Sequence, residues 1–369
     1  MERRIIALTI TMFACIMFIF GGCSSKPDQN TASVSQKITV TDMLGRQVEI
    51  NAQAKRVVAI GPGALRLCCY FNSVDMIAGV EQMDKDSSTG KPYAMANPSL
   101  ANLPVIGPGG PNNAPDPEKI LAVKPEVIFT TYAADRASAD NLQSKTGIPV
   151  VALSYGKTSV FDPDVYASLK LIGKITGKEQ KAQEIVDYME KCRNDLDTRT
   201  KDIPENEKPS TYVGALGMKG VHGIESTQGN YSLFNAVHAK NVADETGKTG
   251  SVMIDKEKLI QWNPGKIFID AGGLQVVQQD YQKNPGFYKT LSAVKNGEIY
   301  LLLPYNFYTT NIDTAIADAY YIGKVLYPER FKDIEPEKKA DEIYKFLLGK
   351  ELYSQMSRDY GGFKKLTLQ

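Results

Sequence analysis

The sequence predicts an α/β protein of two Rossmann-like lobes joined by one long helical segment. Short apolar runs that end at Gly, Pro or a polar residue alternate with helical stretches, which is the pattern of buried parallel strands. The same pattern recurs after residue 200, and a chain of 369 residues is long for a single hydrophobic core. Between the two halves lies the longest helical region of the sequence, residues 163–199.

The N-terminal half begins with a hairpin. Residues 38–50 alternate apolar and polar side chains about Asp42 and Gly45, which predicts two antiparallel strands. Apolar runs that predict strands follow at residues 57–60, 127–130 and 149–153. Helices are predicted at residues 64–72 and 117–123, the second of which has Pro in its first turn.

The C-terminal half repeats this order of elements. Strands are predicted at residues 211–215, 266–270 and 299–303. Helices are predicted at residues 231–238, 255–260, 314–326 and 335–348, followed by a mostly polar tail.

The helical region between the halves is a candidate for a stiff link. Val165, Leu169 and Ile172 lie on one helical face, and Ile185 and Met189 continue that character after a break at residue 177. We therefore expect five segments: a signal at 1–22, a tether at 23–36, an N-terminal lobe at 37–160, a helical region at 161–200 that includes the interdomain helix, and a C-terminal lobe at 201–369.

The N-terminus has the layout of an export signal. Arg3 and Arg4 precede an apolar run at residues 5–20, and Gly22 stands directly before Cys23. This resembles a bacterial lipoprotein signal, in which acyl chains on Cys23 hold the protein on the membrane face. Phe20 stands where such signals usually carry Leu. A plain signal peptide or an uncleaved anchor are the alternatives, and each of them places the folded part outside the cytoplasm.

Composition excludes several classes of site. The 43 basic and 42 acidic residues nearly cancel, so no global field favours nucleic acid. Only two His occur, which argues against a His-rich site for a bare metal ion. Cys68 and Cys69 are expected to be small core residues on a helix, with a vicinal bridge or a soft-metal site as alternatives.

Enzyme motifs are missing from the sequence. It has no Gly-x-Ser-x-Gly elbow, no His-Glu-x-x-His and no Walker lysine, and its carboxylates form no obvious acid/base pair. The chain is therefore expected to bind its ligand without chemistry and without a cofactor.

Several short sequence segments occur in the same order as in one known protein family. They lie at residues 41–48, 56–58, 75–80, 118–129, 146–151, 239–242, 259–264 and 293–300. This series resembles the class III, helical-backbone substrate-binding proteins of ABC importers for ferric siderophores, haem, vitamin B12 and related chelates. The resemblance implies two α/β lobes joined by one long helix, a ligand cleft between them, and a permease with its ATPase as partner.

Ligands of open α/β sheets bind beyond the carboxyl ends of the strands, which selects a small set of loops. Tyrosines there offer flat apolar area with a polar tip, and arginine offers bidentate bonds to an anion. The expected ligand-binding residues are Tyr132, Arg136, Tyr155, Met218, His222, Tyr231, Tyr305 and Tyr308. Core packing is the alternative for each tyrosine, and a hydrogen bond within its own Gly-rich loop is the alternative for His222.

Arg66 marks a departure from the family. Many relatives carry one Glu on each lobe that pairs with permease arginines, whereas this chain has Arg66 at the first place and no Glu near Tyr231 at the second. The usual docking is therefore in doubt, and Arg66 is expected to face either the permease or the ligand.

The sequence thus predicts a lipid-anchored, monomeric solute receptor that binds no nucleic acid. The tyrosine-rich cleft with at least one arginine favours a ferric siderophore as ligand. Corrinoid, haem and an oxyanion such as molybdate or tungstate remain alternatives, as does a role as a ligand sensor.

Overall fold

The computed structural model describes residues 37–110 and 113–368. The expected signal, the tether and Cys23 lie outside these residues. Within the described ranges, every helix is too short or too polar to cross a bilayer.

In its described residues, 37–110 and 113–160, the N-terminal lobe has five strands and five α-helices. The strands are β1 (Lys37–Thr41), β2 (Gln47–Asn51), β3 (Val57–Ile60), β4 (Val127–Thr130) and β5 (Val150–Ala152). The helices are α1 (Ala64–Cys69), α2 (Gln82–Lys85), α3 (Pro92–Ala96), α4 (Pro117–Ala122) and α5 (Arg136–Thr146). Short 3₁₀ turns lie at Val74–Met76 and Pro98–Asn102.

The sheet of this lobe is parallel, with strand order β3-β4-β5. Alternate side chains enter two different cores: Val57 and Phe129 pack on one face, whereas Val58 and Ile128 pack on the other. All residues of the three strands are buried. Burial on both faces explains why each strand reads as a continuous apolar run.

A buried ion pair fixes the β1–β2 hairpin to the sheet. Asp42 accepts a 2.9 Å hydrogen bond from Nε of Arg46 and another of 3.1 Å from the backbone N–H of Ala152. Arg46 also bonds to the carbonyl of Val150. The hairpin turn is thereby held beside the carboxyl end of β5.

Two helices follow, α6 (Pro163–Thr176) and α7 (Glu179–Thr200). Gly177 ends α6 in the left-handed conformation, with φ of 68°, and Asp162 caps its start. Ala54 donates to the carbonyl of Ile175, so α6 belongs with the first lobe. The 22 residues of α7 span roughly 33 Å and lead into the second lobe.

The C-terminal lobe contains seven strands and eight α-helices. The strands are β6 (Ser210–Gly214), β7 (Ser226–Gly229), β8 (Lys240–Asn241), β9 (Gly250–Met253), β10 (Lys266–Asp270), β11 (Ile299–Leu302) and β12 (Lys364–Lys365). The helices are α8 (Ser232–Ala236), α9 (Lys256–Trp262), α10 (Leu274–Lys283), α11 (Pro285–Thr290), α12 (Ser292–Lys295), α13 (Ile312–Leu326), α14 (Pro336–Leu348) and α15 (Tyr353–Tyr360).

Its main sheet has the order β12-β11-β10-β6-β8, in which only the β11–β12 pair is antiparallel. The strands β7 and β9 form a separate antiparallel ribbon. The described chain therefore has the α/β architecture of two lobes that the sequence predicts.

One continuous apolar cluster spans both lobes. It includes Phe129 of β4, Leu169 of α6, Leu196 of α7 and Phe268 of β10. A buried hydrogen bond of 2.9 Å from Tyr70 to Asp313 reinforces it. Because the cluster is shared, the lobes are held to each other by packing as well as by α7.

The main strands and the helices α4, α6, α7, α13 and α14 confirm the predicted elements. The ribbon of β7 and β9, the helix α10 and the helix α15 were not predicted. Both helices are amphipathic: Leu274, Val277 and Tyr281 recur at helical spacing in α10, as do Tyr353, Met356 and Tyr360 in α15. This spacing is a local signal that the sequence analysis missed.

Candidate functional site

A cavity of about 320 Å³ lies beyond the carboxyl ends of β3, β4 and β5. Most of its walls come from the first lobe, and one wall comes from the loop before α13 in the second. The lining residues are Met43, Leu44, Pro62, Thr131, Ala133, Leu153, Ser154, Tyr155 and Thr309. The cavity is therefore a cleft between the lobes. It lies where ligands of open α/β sheets bind, beyond the carboxyl ends of the strands, a tendency that we call the strand-end rule.

Arg66 lies beneath this cleft and joins the lobes. Its side chain is fully buried, and it donates from Nε to Asn311 at 2.8 Å and from Nη2 to the carbonyl of Phe307 at 2.7 Å. It also donates from Nη1 to the hydroxyl of Tyr155 at 3.2 Å. Among the described residues, its hydrogen-bond acceptors are thus all neutral oxygens.

The burial of Arg66 corrects one expectation. A permease-facing residue needs an exposed side chain, whereas the guanidinium of Arg66 is enclosed by both lobes. Arg66 therefore does not face the permease in this structure, and a position close to the ligand cleft is the arrangement observed.

Tyr132 and Tyr308 meet across the lobes. Their hydroxyl oxygens are 2.7 Å apart, and Tyr308 donates a 3.0 Å hydrogen bond to Oε2 of Glu81. The same carboxylate oxygen accepts from the backbone N–H of Gly61 at 2.9 Å. Burial raises the pKa of Glu81 to about 7, although the hydrogen bond from Gly61 opposes this shift. Burial likewise raises the pKa of Tyr132 to about 12.

The loop that carries Tyr308 has a strained backbone. Tyr308 and Thr309 have φ values of 50° and 67°, in the left-handed region that a β-branched residue rarely adopts. Asn306 fixes the start of the loop by donating to the carbonyl of Gly217 at 2.7 Å. Backbone strain of this kind persists only where surrounding contacts hold it, and here those contacts come from both lobes.

Tyr155 lines the cleft, the region where the sequence analysis expects it. Its hydroxyl donates to the carbonyl of Gly63 at 3.0 Å and accepts from Arg66. Burial raises the pKa of Tyr155, while the neighbouring Arg66 guanidinium opposes the shift.

Arg136 stands at the rim of the cleft rather than inside it. It is the first residue of α5, and it donates to the carbonyls of Leu44 and Gly45 at 2.9 and 3.2 Å. The arginine is exposed, and both of its hydrogen bonds go to carbonyls of the hairpin. Its observed role is to hold the β1–β2 turn.

Met218 and His222 belong to a Gly-rich loop of the second lobe. Nε2 of His222 lies 2.9 Å from the carbonyl oxygen of Met218, so the imidazole bonds within its own loop. Both side chains are half-buried. The bond from Asn306 to Gly217 brings this loop beside the one that carries Tyr308.

Tyr231 and Tyr305 pack in the core of the second lobe, which corrects their expected place in the cleft. They are 0% and 7% exposed, and their ring centroids lie 6.0 Å apart. Tyr231 also meets Phe234 edge-on at 5.0 Å. Aromatic rings gain from burial against one another, and Tyr231 lies between Phe234 and Tyr305.

Two functional candidates, Glu81 and Asn311, were missed by the sequence analysis. Glu81 directly follows the apolar segment 76–80, and Asn311 directly precedes α13. Applying the strand-end rule to the segment 76–80 would have selected Glu81. No sequence signal marks Asn311, because its importance comes from Arg66, 245 residues away.

None of the three cysteines in the described ranges lines the cleft. Cys68 and Cys69 are buried, free thiols on α1, as expected for core residues. Burial raises the pKa of Cys68 to about 12. In the described part of the chain, no three His, Cys, Asp or Glu side chains come together as a metal site.

Comparison with known proteins identifies the family to which this chain is similar. A family model described as "Periplasmic binding protein" matches residues 70–305. The chain is 23% identical to an ABC transporter substrate-binding lipoprotein, YvrC, of Bacillus subtilis, across 90% of this chain and all of that one. It is 27% identical to the molybdate-binding protein MolA of Haemophilus influenzae, across 83% and 89% of the two chains.

Two further similarities bear on fold and ligand class. The chain is 24% identical to the Fe(3+)-citrate-binding protein YfmC of Bacillus subtilis, across 81% of this chain and 89% of that one. The structure of MolA with bound molybdate superposes with a TM-score of 0.68, covering 85% of this chain and 98% of that one. At 24% identity the structural likeness shows the fold.

Proposed function

The chain belongs to the periplasmic binding protein family as a substrate-binding protein of an ABC transporter, and on this premise we propose that its cargo is a compact anionic ferric chelate. Members of the family bind solutes and are not enzymes. The observation that carries the proposal is Arg66, a permanently charged side chain at the cleft whose hydrogen-bond acceptors in the described chain are neutral.

Arg66 supports an anionic ligand through the neutral interlobe partners that a ligand would replace, although the buried carboxyls of Asp84 and Asp313 also interact with its charge. Two of its acceptors, the carbonyl of Phe307 and the amide of Asn311, belong to the second lobe. When the lobes separate, the guanidinium loses both partners while its charge remains. A carboxylate of the incoming ligand then offers a bidentate, charge-assisted pair that is stronger than the bonds it replaces.

The size of the cleft favours a compact ligand within the ferric chelate class. A volume of about 320 Å³ is at the low end of the range of roughly 300–1,000 Å³ found for small-molecule sites. The placement of Tyr231 and Tyr305 in the core removes two of the aromatic surfaces that would favour a large siderophore. A small carboxylate chelate, of the ferric citrate type, fits this cleft better than a large siderophore, haem or a corrinoid.

A molybdate-type oxyanion is the second candidate. The relationship to MolA favours it, and the small cleft with its buried guanidinium suits a tetrahedral dianion as well. Both candidates use the same charge on Arg66, so a direct comparison of ligands is needed.

The remaining expectations complete the proposed function. We propose that acyl chains on Cys23 anchor the chain outside the cytoplasm, that residues 23–36 tether it, and that the lobes before and after residues 161–200 close over the ligand. The loaded protein then docks on its permease through surfaces other than Arg66.

Isothermal titration of the full chain in mild detergent tests the proposal against ferric citrate, a ferric hydroxamate siderophore and molybdate. We expect ferric citrate to bind, and Arg66→Gln to weaken it by about 10- to 100-fold, the effect of losing a charged hydrogen-bond partner. Arg330→Gln is the matched control, because Arg330 is exposed and its one ion pair within the described residues is with the surface residue Asp202 at 3.1 Å.

Each outcome has a distinct meaning. Binding of molybdate alone would transfer the assignment to the oxyanion. Binding of the hydroxamate complex alone would restore the large siderophore, and binding of none would refute an anionic metal cargo.

A further inference from the structure

A short strap of the second lobe contacts the first lobe beside the cleft. We use this name for residues 306–310, which lie between β11 and α13. An isolated antiparallel bridge between Asn306 and Thr310 closes the base of the strap, and the backbone N–H of Phe307 donates to the carbonyl of Thr309 at 3.1 Å. The three residues between the bridge partners form its tip, and Thr309 at this tip lines the cleft.

The tip places two successive carbonyl oxygens on the guanidinium of Arg66. The carbonyl oxygen of Phe307 lies 2.7 Å from Nη2, and that of Tyr308 lies 3.5 Å from Nη1. Two oxygens on two nitrogens of one guanidinium is also the arrangement in which a carboxylate binds arginine. The tip therefore occupies the donors that the proposed anionic ligand needs.

Groups of the first lobe fasten the tip through the hydroxyl of Tyr308. This hydroxyl donates to Oε2 of Glu81 at 3.0 Å and accepts from the backbone N–H of Gly110 at 3.0 Å. It also lies 2.7 Å from the hydroxyl oxygen of Tyr132. The described walls of the cleft include Thr309 but not Tyr308. The Tyr308 side chain thus holds the strap to the first lobe from behind the cleft wall.

A second buried cation lies against the tip. Lys91 is 1% exposed, and its Nζ lies 5.1 Å from the centroid of the Phe307 ring. The same ammonium donates to the carbonyls of Met83 and Asp84 at 2.7 and 3.3 Å. Because a cation is attracted to an aromatic face, Lys91 holds the Phe307 ring to the first lobe at a point separate from the Tyr308 hydroxyl.

The backbone of the tip is strained while these contacts hold it. Tyr308 and Thr309 have φ values of 50° and 67°, where Cβ is crowded by a neighbouring carbonyl oxygen. Such a conformation relaxes once the contacts that impose it are lost. Strain thus favours departure of the tip, whereas the contacts of Tyr308 and Phe307 oppose it. The position of the tip is a balance that a competing ligand shifts.

We propose that the strap competes with the ligand for Arg66, and that an incoming anion displaces the tip. This inference rests on the proposed function and adds a regulatory element to the same site. The carbonyls that leave Arg66 are neutral, whereas the arriving oxygens are charged, and this difference favours the exchange. The base of the strap is fixed within the second lobe, where Asn306 donates to the carbonyl of Gly217 at 2.7 Å, so only the tip needs to move.

Competition of this kind gives the cleft a threshold. A neutral or weakly charged solute gains too little from Arg66 to displace the tip, whereas a multiply charged anion gains enough. The apparent affinity of any ligand then depends on the fraction of the protein in which Arg66 is free of the strap. Loosening the tip should therefore increase the affinity for an anion.

Titration calorimetry of the full chain in mild detergent tests the competition, with ferric citrate and molybdate as probes. Tyr308→Phe removes the hydroxyl that fastens the tip and leaves both carbonyls in place. This variant should bind the probe about 3- to 10-fold more tightly than the wild type, the effect of one hydrogen bond. Phe307→Leu removes the contact with Lys91, should act in the same direction, and takes the place of Tyr308→Phe if that variant does not fold.

Tyr281→Phe is the matched control for the loss of a phenol hydroxyl. Tyr281 packs on Tyr288 at a centroid distance of 5.4 Å, outside the cleft, so its substitution should leave the affinity unchanged. Thermal unfolding shows whether each variant folds. Gly63→Ala does not serve in this test, because its Cβ would meet the hydroxyl of Tyr155 in the cleft wall as well as Thr309 in the strap.

Hydrogen exchange of the wild type provides a second readout that needs no substitution. Displacement of the tip should make the backbone amides of residues 307–309 exchange faster when the protein is saturated with the probe. A strap that only covers a bound ligand would give the opposite result, slower exchange of the same amides.

The outcomes distinguish this inference from the proposed function. If the wild type binds a probe and Tyr308→Phe binds it no more tightly, or if exchange at the tip does not become faster, the competition is overturned while capture of the anion stands. Binding by the loosened variant alone would support both, because the tip would then exclude the probe from the wild type. Absence of binding by every chain would overturn both.

Discussion

Nε of Arg66, in the first lobe, donates a hydrogen bond of 2.8 Å to Oδ1 of Asn311, the last residue before α13 in the second lobe. Nδ2 of Asn311 in turn donates to the carbonyl of Gly90 at 2.9 Å. Both side chains are fully buried. One amide therefore satisfies groups of the opposite lobe with both of its ends, and it fixes the closed arrangement of the cleft.

Replacing Asn311 with Ala should destabilise the protein by about 1–3 kcal/mol, since the buried Nε of Arg66 and the carbonyl of Gly90 both lose a partner. Urea unfolding measures the change. Asn235→Ala is the control, because the Asn235 side chain is exposed and, among the described residues, bonds to Asn230 alone; this variant should change stability by no more than about 0.5 kcal/mol. An equal change in the free energy of unfolding in the two variants would show that the hydrogen bonds of Asn311 between the lobes do not stabilise the protein.

Gly63→Ala should open or loosen the cleft. Gly63 has φ of +80°, and a Cβ there would clash with the hydroxyl of Tyr155 and with Thr309 of the other lobe. Gly147→Ala is a matched control, since Gly147 has φ of +65° but open space around its Cβ position. Both variants should lose about 1–2 kcal/mol from backbone strain.

Only Gly63→Ala should also enlarge the radius of gyration, measured by small-angle X-ray scattering, and weaken ligand binding. An unchanged scattering profile with unchanged affinity would contradict the inferred contact of Gly63 with both lobes.

Asp270 should make stability fall as pH rises. Burial raises the pKa of Asp270 to about 7 from a usual value of 3.8. Between pH 4 and 7 the folded state therefore holds a proton that the unfolded state has lost. The free energy of unfolding decreases with pH across this window, by at most about 1.4 kcal/mol per pH unit for this one group.

Asp270→Asn should flatten that slope, which urea unfolding between pH 5 and 8 measures. Asp333→Asn is the control: Arg199 lowers the pKa of Asp333 to about 2, so its contribution is constant across the same range. A slope that is identical in the wild type and in Asp270→Asn would refute the assignment to Asp270.

The thiols of Cys68, Cys69 and Cys192 should resist alkylation in the native protein. All three are buried, and burial raises the pKa of Cys192 to about 11, so the reactive thiolate is scarce and inaccessible. Mass spectrometry of peptides after iodoacetamide treatment should find these cysteines unmodified at neutral pH and modified in urea. Rapid native modification of Cys68 or Cys69 would contradict their core placement.

The sequence determined the order and type of the main elements, because the signals for them are local. A run such as Val57–Ile60 is apolar throughout since both faces of its strand are buried, and Asp116 before Pro117 marks the start of a helix by capping it. Charge balance and the scarcity of His likewise follow from composition, and they argued against a nucleic-acid partner and a His-rich site for a bare metal ion. The strand-end rule selected Tyr155, which lines the cleft, and Tyr132 and Tyr308, whose hydroxyl oxygens lie 2.7 Å apart across the two lobes.

Only the tertiary structure decided which of the candidate side chains meet. Tyr231 and Tyr305 share the residue type and loop position of Tyr308, yet they enter the core because aromatic partners surround them there. Arg66, Glu81 and Asn311 acquire their roles from partners more than 200 residues away along the chain. Local sequence patterns determine how a segment folds. The contacts of a cleft join residues that are far apart in the sequence, so they depend on how the two lobes pack and cannot be predicted from a local pattern.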